Sequence, residues 1–507
     1  MTSLLALSGN PHVDYHALAP ELILAATIVV GLLVECFARG RAAGQMVAKI
    51  SAIGVLAAIV PLVTLGFNGK DRSLFDGRFV LDNYAIAFKA LFLGAAFITI
   101  LLSFDDVEEG DNYKGEYYVL LLTSVLGMVA MASARDLVTI FVALETISIP
   151  TFVLAGWRKH ERKSNEAAIK YYLIGVISSA VMMYGMSFIY GMTGSTLLTE
   201  ISAKIHSGAK PLLAVGIVLT LVGFAFKISA VPFHFWAPDT YEGAPTPVTA
   251  FLSVASKAGG FVALVSTVGI GFIGDGKFGP DIWYPLLWVL AALSMTLGNL
   301  TALRQSNIVR MLAYSSIAQG GFILASVAVM AKAGASSLQS VLIYLLVYAA
   351  MNLGLFGVVI AVARSTRSGE VSSFAGLGRR APVLAVLASA FLFSLAGIPP
   401  LGGWFAKFTM FRAVVEAGGG WNYALAGIAA VNSVIAFFYY AAVARQMWFH
   451  EADPEAPRVS VRPPIRVALA LCAATTLVIG VYPQVFGKAG QLITSEQPGH
   501  VSAAQTP

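Results

Sequence analysis

Three lysines and one glutamate stand where apolar sequence has little reason to carry charge. Lys227, Lys257 and Lys407 each lie inside a hydrophobic stretch long enough to cross a bilayer, and Glu145 lies in a fourth, within LETISIP. A charge at the bilayer centre costs about 2.5–3.5 kcal/mol on insertion scales, so four in one chain point to a route for protons or ions. Their chemistry is proton transfer. Desolvation disfavours the charged form of a buried lysine, and a nearby carboxylate restores it. Such a lysine is poised to gain and release a proton. Glu145 paired with Lys227 would form a switch, because separating the two would drive the lysine proton onward. Static pairing between helices accounts for at most part of the set, since one carboxylate cannot neutralise three ammonium groups.

Weaker candidates surround these four. His234, in VPFHFWAPD, lies close in sequence to Lys227 and Asp239 and is a relay candidate. Tyr344, Tyr348 and Asn352 recur every four residues, on one helix face. Tyr314, Ser315, Ser316 and Gln319 cluster in the preceding apolar segment. Hydroxyl and amide groups of this kind hold water or simply tie helices together. Lys89 and Arg412 lie near helix ends, where snorkelling to the interface is expected. His160 sits in a charged loop and is expected to be solvated. Cys36 and Cys472 are far apart in apolar surroundings, which reads as two small core residues with no metal spacing or redox pair. No Gly-rich phosphate loop follows a strand, so no cofactor or metal is expected on this chain.

The elements that position these residues are helices. The 507 residues are 57% hydrophobic and 12% charged, against about 25% charged in soluble domains. At roughly 20 apolar residues per crossing, the chain reads as an all-α polytopic membrane protein of about 14 transmembrane helices. They are expected near 18–37, 47–67, 83–103, 116–133, 136–157, 166–190, 211–231, 246–273, 283–303, 307–331, 339–363, 382–413, 422–449 and 466–484, with the seventh, eighth and twelfth least regular. The start of the chain lacks a basic region and a cleavage site, so no removed signal peptide is expected. With the N-terminus outside, 19 of the 33 Lys and Arg fall in inside loops and nine outside, which sets the orientation. The net charge of +6 then belongs to cytoplasmic loops at an anionic leaflet, not to nucleic-acid binding. The longest polar loops lie near 104–115, 158–170, 364–381 and 450–465. The first is acidic (Asp105, Asp106, Glu108, Glu109, Asp111) and reads as solvated or as a subunit contact.

Two of the irregular segments resemble each other. Residues 224–232 read FAFKISAVP and residues 391–399 read FLFSLAGIP. They fall in the seventh and twelfth segments, and an offset of five reverses direction. An inverted repeat of two five-helix units, helices 4–8 and 9–13, is therefore expected, with helices 7 and 12 broken. The division is 1–115 (helices 1–3), 116–273 and 283–449 (two half-channels) and 450–507 (helix 14 and tail). Pro232, Pro238, Pro245 and Pro247 follow the first motif, and Pro399, Pro400, Gly402 and Gly403 close the second. Proline removes a helix hydrogen bond, and freed backbone groups in a membrane need side chains or water. The register aligns Lys227 with Ser394 and Lys407 with Thr240, so the half-sites have diverged. Lys257 and Lys407 are expected at similar depth, joined by polar groups and water.

These residues together resemble a known family, the antiporter-like membrane subunits of respiratory complex I, related to subunits of multisubunit sodium/proton antiporters. The marks are LETISIP with Glu145, KISAVPFHFWAPDTYEGAPTP from Lys227, SKAGG with Lys257, and RQSNIVRMLAYSSIAQGG at 304–321. Within that family SLAGIPPLGGWFAKF carries Lys407 where the M branch carries a carboxylate. The short tail leaves no room for the lateral helix of the L branch. Fourteen helices resemble the bacterial members. The resemblance implies a proton-translocating subunit in the bacterial inner membrane. It assigns Glu145 and Lys227 as the coupling pair, Lys257 as the central relay and Lys407 as the exit-side residue. NADH, FMN, iron–sulfur clusters and quinone are expected on partner subunits, and neighbouring antiporter-like and small membrane subunits as contacts. Asn352 stands where some relatives carry a titratable histidine. Two other readings are a sodium/proton antiporter subunit and a scaffold with structural charges.

Overall fold

A computed structural model describes residues 13–38, 41–69, 71–106, 115–206, 211–276, 278–452 and 457–484. The acidic residues Glu108, Glu109 and Asp111 lie outside them. The helices are α1 Ala19–Phe37, α2 Arg41–Asn68, α3 Asn83–Asp106, α4 Glu116–Ser133, α5 Leu137–Ala155, α6 Arg162–Thr193, α7 Leu198–Lys204, α8 Pro211–Lys227, α9 Trp236–Gly243, α10 Thr246–Phe251 and α11 Lys257–Ser266. They continue with α12 Phe278–Ala302, α13 Ile308–Ala328, α14 Met330–Ala333, α15 Ala335–Thr366, α16 Leu377–Arg380, α17 Pro382–Ala396, α18 Gly402–Glu416, α19 Gly420–Phe449 and α20 Pro463–Val481. A two-stranded hairpin, Arg72–Leu74 against Phe79–Leu81, precedes α3.

Among the described residues twelve helical segments are long and apolar enough to cross a membrane. Two shorter apolar helices, α8 and α17, begin the interrupted segments. The first interruption separates Lys227 from Trp236 and the second separates Ala396 from Gly402, around Pro232 and Pro399 as expected. The third irregular segment runs unbroken from Thr246 to Gly271 but contains two π-helical turns, Leu252–Ser256 and Thr267–Gly271, on either side of α11. π turns widen a helix by one residue and recur at functional sites.

Burial sorts these helices into a centre and a rim. The rod Thr246–Gly271 is buried along its whole apolar window, α13 over 94% and α15 over 89%, whereas α1, α6 and α19 bury no more than a third. The broken pairs α8–α9 and α17–α18 pack against this centre, and α20 lies on α15 and α3. Side-chain caps fix two helix starts that matter to the site. Asp136 accepts from Val138 N and Thr139 N at the head of α5, and Asn307 accepts from Val309 N and Arg310 N at the head of α13. Each satisfies otherwise orphaned N–H groups.

Candidate functional site

Lys227 is the last residue of α8, 4% exposed. Its Nζ donates to Ser148 Oγ of α5 at 2.9 Å, and Ser148 donates on to the Leu144 carbonyl at 2.6 Å. Glu145 does not meet it. The Glu145 Oε1 accepts from Ser179 Oγ of α6 at 2.6 Å, and the residue is half-buried beside the outward-facing Val142 and Ile149. The direct pair expected from the sequence is therefore replaced by two serine contacts. Residues three apart on a helix point about 60° apart, so α5 turns Ser148 to the core and leaves Glu145 at its edge. The stem of Lys227 lies on Gly260, where a Cβ would come within 3.0 Å of Lys227 Cγ. Gly260 is three residues beyond Lys257 on the same rod, so any larger residue would push the two lysine sites apart.

Lys257 directly follows the first π turn and is 2% exposed. Its Nζ donates to Ser316 Oγ of α13 at 2.7 Å and lies 5.8 Å from the centre of the Tyr241 ring. The hydroxyls of Tyr241 and Tyr348 are buried near Ser316, neither making a hydrogen bond of 3.5 Å or less. Asn352 Nδ2 donates to Ser253 Oγ at 2.8 Å, tying α15 to the π turn. Buried hydroxyls left open in this way are sites for water.

Lys407 lies in the second turn of α18, 6% exposed. Its Nζ donates to the Ala396 carbonyl at 2.8 Å, the last residue of α17 before the break, and sits 4.8 Å from the centre of the Phe322 ring. A cation at a helix C-terminus meets the negative end of the helix dipole. Gln319 closes the same end, donating through Nε2 to the Leu395 carbonyl at 3.1 Å and to Tyr440 OH at 3.3 Å. Tyr344 OH donates to Gln319 Oε1 at 2.5 Å, and Ser315 Oγ shares a hydrogen bond with Tyr440 OH at 2.5 Å.

One helix thus serves both lysines. Ser316, Gln319 and Phe322 follow at intervals of three along α13, the first touching Lys257 and the last Lys407. Six residues span about 9 Å, and both contacts fall near the middle of this 21-residue helix.

Other expectations fare differently. His234 lies in the first break, half-buried, with Nδ1 unpartnered. Asp239 is not its partner: it binds Lys170 at 2.7 Å and Arg310 at 2.9 Å. Arg310 also holds Glu242 at 2.8 Å, and Lys163 reaches Glu242 at 2.8 Å. This network at the end of α9 was not singled out in the sequence, because its members lie 68 to 79 residues apart. Lys89 does not snorkel. It is fully buried and donates to Glu21 Oε1 of α1 at 2.6 Å, a partner 68 residues away. Arg412 is exposed and pairs with Glu416 on its own helix at 2.7 Å. His160 is exposed. Cys472 is buried, but Cys36 is exposed on α1 and is not a core residue. Among the described residues no group of three His, Cys, Asp or Glu side chains could hold a metal.

Three buried ammonium groups, each held by a neutral oxygen, can each give up a proton without breaking an ion pair. That arrangement suits stepwise proton movement. The family model described as "NADH:quinone oxidoreductase/Mrp antiporter, TM" matches residues 134–436. NADH-quinone oxidoreductase subunit N of Trichlorobacter lovleyi is 41% identical over 480 residues, covering 93% of this chain and 95% of its own. Subunit N of Brevibacillus brevis is 40% identical, covering 93% of each. A chain of respiratory complex I from Thermus thermophilus superposes with a TM-score of 0.77 at 30% identity, over 92% of this chain and 98% of that one. A chain of the Mrp complex from Dietzia sp. DQ12-45-1b gives 0.84 at 21% identity, over 95% and 97%, a likeness of fold. The chain belongs to the antiporter-like membrane subunits of respiratory complex I, in the branch of NADH-quinone oxidoreductase subunit N.

Proposed function

We propose that this chain translocates protons through Lys227, Lys257 and Lys407, under the control of Glu145. The observation that carries the reading is the strip on α13, which puts Ser316 against Lys257, Gln319 between, and Phe322 against Lys407. A proton on one lysine disfavours a proton on the next. At a separation on the order of 10 Å and an effective dielectric of about 20 this repulsion is about 1.7 kcal/mol, more than tenfold in an equilibrium. Charging Lys227 therefore pushes the proton of Lys257 toward Lys407. Glu145 sets the first step. Moved from Ser179 toward Lys227 it stabilises the ammonium, and moved back it releases the proton.

The chain makes fourteen crossings, counting each broken pair as one, with its N-terminus outside the bacterial inner membrane. Its five-helix units run from 116 to 273 and from 283 to 449 as inverted half-channels. NADH, FMN, iron–sulfur clusters and quinone belong to partner subunits. Glu145 sits on an apolar outward face with Val142, Ile149 and Val153 exposed. Lipid is a poor neighbour for a carboxylate, so a neighbouring membrane subunit covers this face and delivers the driving change. His234, Tyr348 and Asn352 hold the water that completes the wire. A sodium/proton antiporter subunit is the alternative, supported by fold likeness alone.

The test is proton uptake in vesicles measured beside electron transfer, with assembly checked on native gels. Glu145→Ala is expected to assemble normally and to lose proton uptake several-fold, and Glu145→Asp to be milder. Normal uptake in assembled Glu145→Ala would end the switch. Purification in mild detergent is expected to bring down iron–sulfur subunits, which an ion-driven antiporter would lack.

A further inference from the structure

The polar face of α15 does not end at Tyr344. Asn352, Tyr348, Tyr344 and Ser340 stand four residues apart, so the strip continues one turn toward the start of the helix. Ser340 Oγ shares a 2.9 Å hydrogen bond with Ser326 Oγ of α13, and Ser337 Oγ donates to the Ser326 carbonyl at 2.5 Å. These hydroxyls tie α13 to α15 and also extend the polar strip toward the start of the helix.

Immediately beyond lies a cavity of about 100 Å³, bounded by Tyr84, Ser266, Met330, Gly334 and Leu338. Tyr84 and Ser266 are each 3% exposed; their hydroxyls interact with each other, but neither makes a hydrogen bond of 3.5 Å or less. Leaving a buried polar group unsatisfied costs about 1–3 kcal/mol. In a cavity otherwise lined by apolar residues such as Val265, Ile270 and Ile273, these two hydroxyls supply the polar partners a water needs. Tyr84 lies under the Arg135 guanidinium, 5.6 Å from its ring centre. Arg135 pairs with Asp82 at 2.8 Å at the head of α3. By the charge bias of the loops this is the outer face.

We propose that the chain has a second outward branch. It leaves the central wire at Tyr344, passes Ser340 and Ser326, and opens through the Tyr84–Ser266 cavity beside Arg135 and Asp82, without using Lys407. This rests on the proton-translocation reading above. Each hydroxyl accepts a proton on its oxygen and gives its own to the next oxygen or water, so the row is restored by reorientation and one proton emerges for each that enters. Met330 closes the path between Ser326 and the cavity. Its flexible thioether lies where a Cβ on Gly269 would come within 2.9 Å of its sulfur.

Cysteine accessibility in the assembled complex tests the branch. In a Cys36→Ser, Cys472→Ala background, Ser266→Cys and Ser340→Cys are exposed to a membrane-impermeant thiol reagent from the outer face of sealed vesicles. Val341→Cys, buried on the apolar side of the same helix, is the control. The branch predicts labelling of both at least tenfold faster than the control. It also predicts a twofold or greater loss of proton uptake per electron in Ser340→Val, with a smaller loss in Ser340→Ala. Labelling no faster than the control, or wild-type uptake in Ser340→Val, overturns it. Wild-type uptake in Lys257→Met would instead overturn the translocation reading, whatever the labelling.

Discussion

The two broken segments are alike in outline and opposite in where they place their charge. In the first, Lys227 precedes the break and its ammonium is held by a side chain of a different helix, Ser148 of α5. The backbone is closed without it: Val231 N donates to Ser294 Oγ at 2.9 Å and Trp236 Nε1 to the Phe226 carbonyl at 3.3 Å. In the second, Lys407 follows the break and its ammonium is itself the closure, bound to the Ala396 carbonyl. The residue at the Lys227 position there is Ser394, which accepts from Gly403 N at 3.0 Å. A lysine held by a neighbouring helix responds when that helix moves. A lysine that caps the other half of its own broken helix is insulated from such motion. Under the proposed translocation, the first break would receive the signal and the second would store the proton.

The sharpest way to break this contrast is to remove the group that both halves share. Lys257→Met is expected to lower proton uptake tenfold or more in an assembled complex, and residual pumping above that level would mean the halves work separately. Lys407→Arg comes next. Arginine keeps the charge on Ala396 but does not readily release its proton, so uptake should fall about twofold, close to Lys407→Ala, the remainder leaving by the branch through Ser340. A wild-type ratio of protons to electrons in Lys407→Arg would make the charge structural. Ser148→Ala sharpens the difference between the breaks. It takes the acceptor from Lys227, worth about 1.5–3 kcal/mol for a hydrogen bond to a charged group. Proton uptake should therefore fall in Ser148→Ala, while Ser394→Ala leaves it in place. The smallest effect belongs to Arg412→Ala, whose exposed pair with Glu416 contributes about 0.5 kcal/mol. Thermal stability of the complex should hardly change. Lys89→Ala, read by the same assay, should instead cost about 3–5 kcal/mol, because Glu21 is left buried without its cation.

The parts of this molecule legible in the sequence are those written in local pattern. Apolar runs gave the helix positions, and Pro232 and Pro399 with their neighbours gave both breaks. The irregularity assigned to the eighth segment corresponds to π turns that no residue type announces. Contacts between distant positions were not legible. Ser148 is 79 residues from Lys227, Ser316 is 59 from Lys257 and Glu21 is 68 from Lys89. Lys89 escapes a local reading for that reason, since a lysine near a helix end looks the same whether it reaches water or a buried carboxylate. The Glu145–Lys227 pair follows from charge alone and not from geometry. The pitch of α5, which turns the two residues of one helix to different faces, was in the sequence but needed the position of α8 to interpret.

The three-residue spacing on α13 constrains how the gene can change. A single codon inserted between Ser316 and Phe322 adds no charge and removes none, yet it rotates everything beyond it by about 100°. Phe322 would then turn away from Lys407 while Ser316 stays on Lys257, although every titratable residue is still present. The same insertion between Val329 and Gly334, where α14 is only four residues long, falls at a junction of helices and leaves that register untouched. Length, and not only residue identity, is inherited as part of this contact pattern.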